Sequence, residues 1–132
     1  MSSIFSKITS GEIPAFKVAE TEKFLAFLDV RPLVKGHVLC IPKQEVDYIF
    51  DMSDDLYAEL MLFAKIVAKG LKKVVECKKI GISVIGLEVP HAHVHLIPMN
   101  TIADMSFTAE RIEMSNEEFS ALAKEIAQAI IS

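Results

Sequence analysis

Apolar residues change their spacing along this chain, and the changes divide it into elements. Ile4 to Thr9 follows a short helical pattern that Gly11 is suited to stop, and Pro14 opens an extended segment. Phe24 to Leu28 and His37 to Ile41 are short apolar runs bounded by turn residues. They predict two strands, with Asp29 to Gly36 as the loop of a hairpin. From Leu56 the period becomes helical: Leu56, Leu60, Phe63, Val67, Leu71 and Val74 form one stripe, with Ser53 as N-cap and Asp54 and Asp55 at the positive end of the helix dipole. Tyr57, Met61, Ala64 and Ala68 add apolar character on a second side, so one face can cover a sheet and another a partner subunit. Val89 to Met99 is again an apolar run. Ser115-Asn116-Glu117-Glu118 fits a capping box ahead of a last helix with Phe119, Leu122, Ile126 and Ile130 on its apolar face. Met105-Ser106-Phe107 before it reads as a surface tether, with a position across a functional site as the alternative.

These elements predict an α+β fold: an antiparallel sheet of about five strands, one long helix packed on it, and shorter terminal helices. No Pro/Gly-rich linker, repeat or low-complexity stretch divides the 132 residues, so residues 1–132 read as a single domain with 101–132 as a C-terminal loop and helix.

The run from Val89 to Met99 carries an unusual load, His91-Ala92-His93-Val94-His95, three of the four histidines in the sequence. On a strand, alternate side chains share a face, so the three imidazoles are expected to project together while Ala92 and Val94 turn the other way. Three readings fit. The first is a half-buried strand with polar residues on its outer face, although aligned imidazoles repel when protonated and gain nothing in packing that Thr or Val would not supply. The second is a metal site, but a strand separates the His91 and His95 Cα atoms by ~13 Å, so one ion could engage neighbouring members and hardly all three. The third is a nucleophilic histidine flanked by two that hold an anionic substrate. His93, the middle member, is best placed to attack.

The pattern His-x-His-x-His followed by apolar residues resembles the histidine triad family of nucleotide hydrolases and transferases. Ile4-Phe5-Ser6-Lys7-Ile8, Gly11-Glu12-Ile13-Pro14, Phe24 to Asp29, Pro32, and Gly36 to Lys43 resemble it too, in the same order and spacing, over about residues 3 to 99. The resemblance implies a nucleoside monophosphate site in which Asp29 accepts from ribose hydroxyls and Phe27 and Phe5 line the base pocket. His93 would form a covalent nucleotidyl-histidine, His91 and His95 would polarise phosphate oxygens, and His37 would support them. It implies a nucleotide phosphoramidase or dinucleoside polyphosphate hydrolase with no cofactor or metal, and a homodimer. Asp29 taken alone is an ordinary turn residue, and Phe5 and Phe27 taken alone are core.

The chain also departs from the family. Gly86 and Val89 match the loop before the triad, but Leu87 and Glu88 stand where Gln and Ser or Thr are usual, leaving Glu88 and Val89 as the side chains nearest a bound phosphate. Glu88 would repel that phosphate unless protonated or turned away, and is expected to face solvent. Ser3, Ser6 and Glu45 occupy positions where some relatives bind a structural zinc together with the first triad histidine, so that zinc is not expected. A non-catalytic nucleotide-binding protein and a metal-dependent hydrolase remain the alternatives.

Charge and composition narrow the partners. A net charge of −4 argues against a nucleic-acid groove, and Lys72-Lys73 and Lys78-Lys79 read as a solvated helix face and end. Leu56 to Val75 is interrupted by charges and does not read as a membrane span. Without an apolar N-terminal signal, and with only Cys40 and Cys77, the chain is expected in the reducing cytoplasm with buried thiols.

Overall fold

The computed structural model describes residues 2–131. A short helix α1 (Ile4–Ser10) leads into strands β1 (Lys17–Glu20), β2 (Phe24–Leu28) and β3 (Val38–Pro42). The long helix α2 (Asp54–Val74) follows, then β4 (Lys79–Ser83), β5 (Val94–Met99) and α3 (Asn116–Ile131). The sheet runs β1-β2-β3-β5-β4 with every neighbouring pair antiparallel, the α+β arrangement expected from the sequence.

Local chemistry sets the boundaries. Ser3 caps α1 by accepting the Ser6 N–H, and Gly11 ends it at φ +88, the left-handed conformation that glycine reaches without a Cβ penalty. Ser53 Oγ accepts the Leu56 N–H at the start of α2. At α3 the capping box closes in both directions, with Glu118 N–H on Ser115 Oγ and Ser115 N–H on Glu118 Oε1.

The sheet is covered on both faces, which is why β2 and β3 are buried along their whole length. Ala26, Leu28, Val38, Cys40, Val94 and Leu96 meet α2 and α3, through Leu60, Phe63, Val67, Phe119 and Ile126 among others. Leu25, Phe27, Leu39 and Ile41 turn to the opposite face and pack against Phe5 and Ile8 of α1. His95 stands opposite Leu39 in the β3–β5 ladder and so belongs to the α1 face.

Two predicted features differ. The triad does not share one strand: β5 begins at Val94, and His91 and His93 lie in the approach to it. There His91 N–H bonds back to Val89 C=O and Ala92 N–H to the distant Val46 C=O, so the backbone is held in a bend before the ladder starts. The second apolar side of α2 also falls elsewhere. Of the expected residues Tyr57 is exposed at 37%, Met61 and Ala68 are half-buried and Ala64 is in the core, while Leu62 and Ile66, one turn apart, are more exposed at 61% and 56%.

Helices α2 and α3 are in close contact at Gly70, where an added Cβ would lie 2.4 Å from Ile130 Cγ1 and 3.0 Å from the Ile130 backbone nitrogen. Alanine favours a helix over glycine by about 1 kcal/mol, but overpacking against backbone costs ~1–3 kcal/mol. Gly70→Ala is therefore expected to lower unfolding stability by about 1 kcal/mol in urea titration. A stabilised variant would show that α3 yields at this contact.

Candidate active site

Four imidazoles meet on the α1 face of the sheet, and backbone groups fix which nitrogen of each carries the proton. The β2–β3 hairpin holds His37, its ends closed by Asp29 N–H on His37 C=O at 2.9 Å. Gly36 makes the turn possible, at φ +90 in a space where a Cβ would lie 2.9 Å from Val75 Cγ2. Leu33 N–H points at His37 Nδ1 at 3.1 Å, so Nδ1 must accept and Nε2 must carry the hydrogen. His37 Nε2 is 3.0 Å from His95 Nδ1, which therefore accepts in turn. The consequence is a His95 with its proton on Nε2, a hydrogen-bond donor.

The other two rings are fixed by carbonyls. His93 Nδ1 lies 2.7 Å from His91 C=O and must donate, which leaves His93 Nε2 as a free lone pair. His91 Nε2 lies 2.7 Å from Pro42 C=O and must also donate, so its Nδ1 accepts from Ser3 Oγ at 2.8 Å. His93 is held between the rings of Phe5 and His95, at 4.9 and 4.8 Å between centroids.

Burial reinforces neutrality. Desolvation pushes His37 and His95 down to about 3, helped for His37 by the Arg111 charge and for His95 by the neighbouring His93. His93 is lowered for the same first reason, with the His91 carbonyl opposing the shift. Asp29 is raised by burial against the pull of the Arg31 N–H, which its Oδ1 accepts at 2.8 Å.

His93 and His95 open onto a cavity of about 1170 Å³ that is also lined by Ile4, Phe5, Asp29, Glu88 and Val89. The other expected residues stand behind it. His37 supports His95, and Phe27 is buried beneath Phe5 with 5.5 Å between ring centroids, so it props the wall and does not line it. His91 is fully buried with both nitrogens taken, which removes it from direct phosphate contact; its carbonyl orients His93 instead. Glu88 is exposed at the rim beside Gly86 and Leu87, as its expected solvent-facing position requires.

Sequence reasoning ranked a position across the site second for the strap between the last strand and α3, and missed Arg111 within it. Phe107, expected in a surface tether, packs on His95 at 4.7 Å, and Arg111 follows it into the cavity wall. Neither carries a motif. The usable signal was that Arg31 and Arg111 are the only arginines in the sequence, and both line this cavity.

Two groups of ligand atoms bear on metals. Asp29, His37 and His95 offer three atoms within 4.8 Å of one another, but the two nitrogens share a proton at 3.0 Å that an ion would have to displace. Around His91, the Ser3 N–H and Ser6 Oγ–H donate to Glu45 Oε1 at 2.6 and 2.7 Å while Ser3 Oγ–H donates to His91. Two neutral hydroxyls engaged in this way do not fit a structural zinc, which favours thiolates and imidazoles. The bonds from Ser3 and Ser6 hold the Glu45 carboxyl down to about 2.

The HIT domain family matches residues 10–102. An adenosine 5′-monophosphoramidase of Schizosaccharomyces pombe is 37% identical over 98% of this chain and 99% of its own length. An uncharacterized HIT-like protein of Methanocaldococcus jannaschii is 45% identical over 72% and 77%. A zinc-bound histidine triad family protein from Mycobacterium smegmatis superposes with a TM-score of 0.85 at 26% identity, covering 99% of this chain and 94% of that one.

Because His37 and His95 are neutral when folded and ordinary when unfolded, stability is full above pH 6.5 and is lost as pH falls through 6.5 toward 3. Denaturant unfolding should give about 3 kcal/mol less stability at about pH 5.5 than at about pH 7.5 from this pair. Equal stability at the two values would mean that the rings are protonated inside the fold.

Proposed function

The chain belongs to the HIT family, and on that premise we propose that it is a nucleotide hydrolase that works through a covalent nucleotidyl-histidine on His93. The observation that carries the proposal is the His93 ring, whose Nδ1 proton is held by the His91 carbonyl while Nε2 is unprotonated at the cavity. Activity on adenosine 5′-phosphoramidates or dinucleoside polyphosphates is supported by relatives named adenosine 5′-monophosphoramidase.

In the proposed reaction the His93 Nε2 lone pair forms a bond to the α-phosphorus, and the bond from phosphorus to the leaving group breaks with its electrons on that group. His93 then carries positive charge, which the His91 carbonyl faces and stabilises. His95 Nε2–H donates to the oxygen or nitrogen at phosphorus, backed by His37. Water attacks in the second step, the P–Nε2 bond breaks and the lone pair returns to His93. The leaving group takes its proton from solvent in the first step and the attacking water gives one back to solvent in the second, so the cycle balances. Asp29 offers the carboxylate oxygen not held by Arg31 N–H to ribose hydroxyls, and Ile4 and Phe5 provide an apolar wall for the base.

A binding protein without turnover is the second reading, favoured by Leu87 and Glu88 at the rim. We also propose a homodimer through the exposed Leu62 and Ile66 on α2, and a cytoplasmic location supported by two free buried cysteines. Among the described residues no helix is long and apolar enough to cross a membrane.

Incubation with adenosine 5′-phosphoramidate and diadenosine polyphosphates, with and without chelator, should release AMP equally and leave an adenylyl mass on His93 when turnover is trapped. His93→Ala should lose turnover by about a thousandfold or more and still bind AMP. Full activity in that variant would sink the assignment, and loss with chelator alone would favour a metal at Asp29, His37 and His95. In sedimentation, Ile66→Glu should convert a dimer to a monomer; a dimer that survives it would place the interface elsewhere.

A further inference from the structure

The cavity over the triad is lined by both arginines of the chain and, among the described residues, by no lysine. Arg31 sits in the β2–β3 loop and Arg111 in the strap, 80 positions apart, and the fold ties them together: Arg111 Nη1 donates to Arg31 C=O at 2.8 Å. The strap is pinned one residue later by Ile112 N–H on Pro32 C=O at 3.0 Å. The Arg111 guanidinium also lies over the Phe107 ring at 5.8 Å, and the same ring packs on His95. A half-buried cation is thereby held two contacts from the ring that donates at phosphorus.

That cation has no contact ion pair among the described residues, although the Asp29 carboxylate lies within range of its field. Asp29, Glu88, Glu110 and Glu113 all line the same cavity, yet the ion pairs among the described residues involve neither Arg31 nor Arg111. Glu88, Glu110 and Glu113 are exposed, where water screens them, whereas Arg111 is half-buried and held by a carbonyl that takes one of its five N–H groups. The remaining donors of the planar fork suit the oxygens of a phosphate.

We propose that Arg111, steadied by Arg31 and Phe107, forms a leaving-group subsite for the phosphate next to the one attacked, so that the site selects phosphoanhydride substrates over those with an uncharged amine leaving group. This rests on the reading of His93 as nucleophile at the α-phosphate and assigns the far side of the same site. The strap works here as a specificity element, supplying a charge that the sheet and its histidines lack.

The test compares the full-length wild-type protein with Arg111→Gln and Arg111→Lys on diadenosine triphosphate, whose leaving group is ADP, and on adenosine 5′-phosphoramidate, whose leaving group is ammonia. The ratio of kcat/KM for the first substrate over the second should fall at least ~10-fold in Arg111→Gln and recover partly in Arg111→Lys. An unmoved ratio, with both substrates losing equally, would overturn the subsite and make Arg111 a general prop for the strap. A binding arm uses His93→Ala, in which ADP should bind more tightly than AMP, and adding Arg111→Gln should erase that preference. If wild type turns over neither substrate, the nucleophile reading fails while this arm still decides the subsite: an ADP preference that survives Arg111→Gln, or is absent from the start, overturns it.

Discussion

Four imidazoles packed this closely can be buried only if every ring nitrogen that does not face the cavity has a partner of the right kind. Here the choice is made by backbone groups that cannot change role. Leu33 N–H only donates, and the carbonyls of Pro42 and His91 only accept. From these three fixed points the proton positions of all four rings follow, through His37 to His95 and through His91 to Ser3. Among the described residues no buried side-chain nitrogen or oxygen lacks a partner. A proton added to His37 Nδ1 would face the Leu33 N–H head-on.

Neutrality is the property that the chemistry needs. In the proposed reaction a protonated His93 would have no lone pair to attack with, and desolvation under Phe5 and against His95 lowers its pKa, favouring the neutral ring. The sheet supplies the geometry by placing Leu39 opposite His95 and the end of β3 beside His91, so three segments distant in sequence converge. The helix α1 then closes the arrangement, because Ser3 both caps it and holds His91, and Phe5 on its first turn covers His93. Cap, wall and tautomer are one construction, in which a change at Ser3 reaches the nucleophile through His91.

Much of this was legible in the sequence because it is written in local pattern. The β2 and α2 ranges, the Gly11 stop and the Ser115 capping box each depend on residues within a turn or two of one another. The triad was legible as chemistry and misread as geometry: alternation predicts one face, but His91 N–H turns back to Val89 C=O and the ladder starts only at Val94. Backbone partners such as Pro42 C=O have no residue-type signature, so the burial of His91 was invisible. Leu62 and Ile66 were passed over on α2 because a helix with apolar residues on several sides does not say which side the sheet will take.

The strap shows the same limit from the functional side. Phe107 touches His95, and Arg111 reaches the hairpin through a carbonyl at Arg31, a contact between residues 80 apart that no period in the sequence encodes. In the proposed reaction the histidines hold a transferring phosphoryl group by hydrogen bonds, which act over a short range and a fixed direction. A cation acts over a longer range and discriminates by charge. Fixed neutral donors therefore suit the reacting phosphorus, where geometry decides the rate. The charged fork suits the group that departs, where identity decides the substrate. Placing the first on the sheet and the second on a connecting segment lets the leaving-group preference change without disturbing the tautomers on which attack depends.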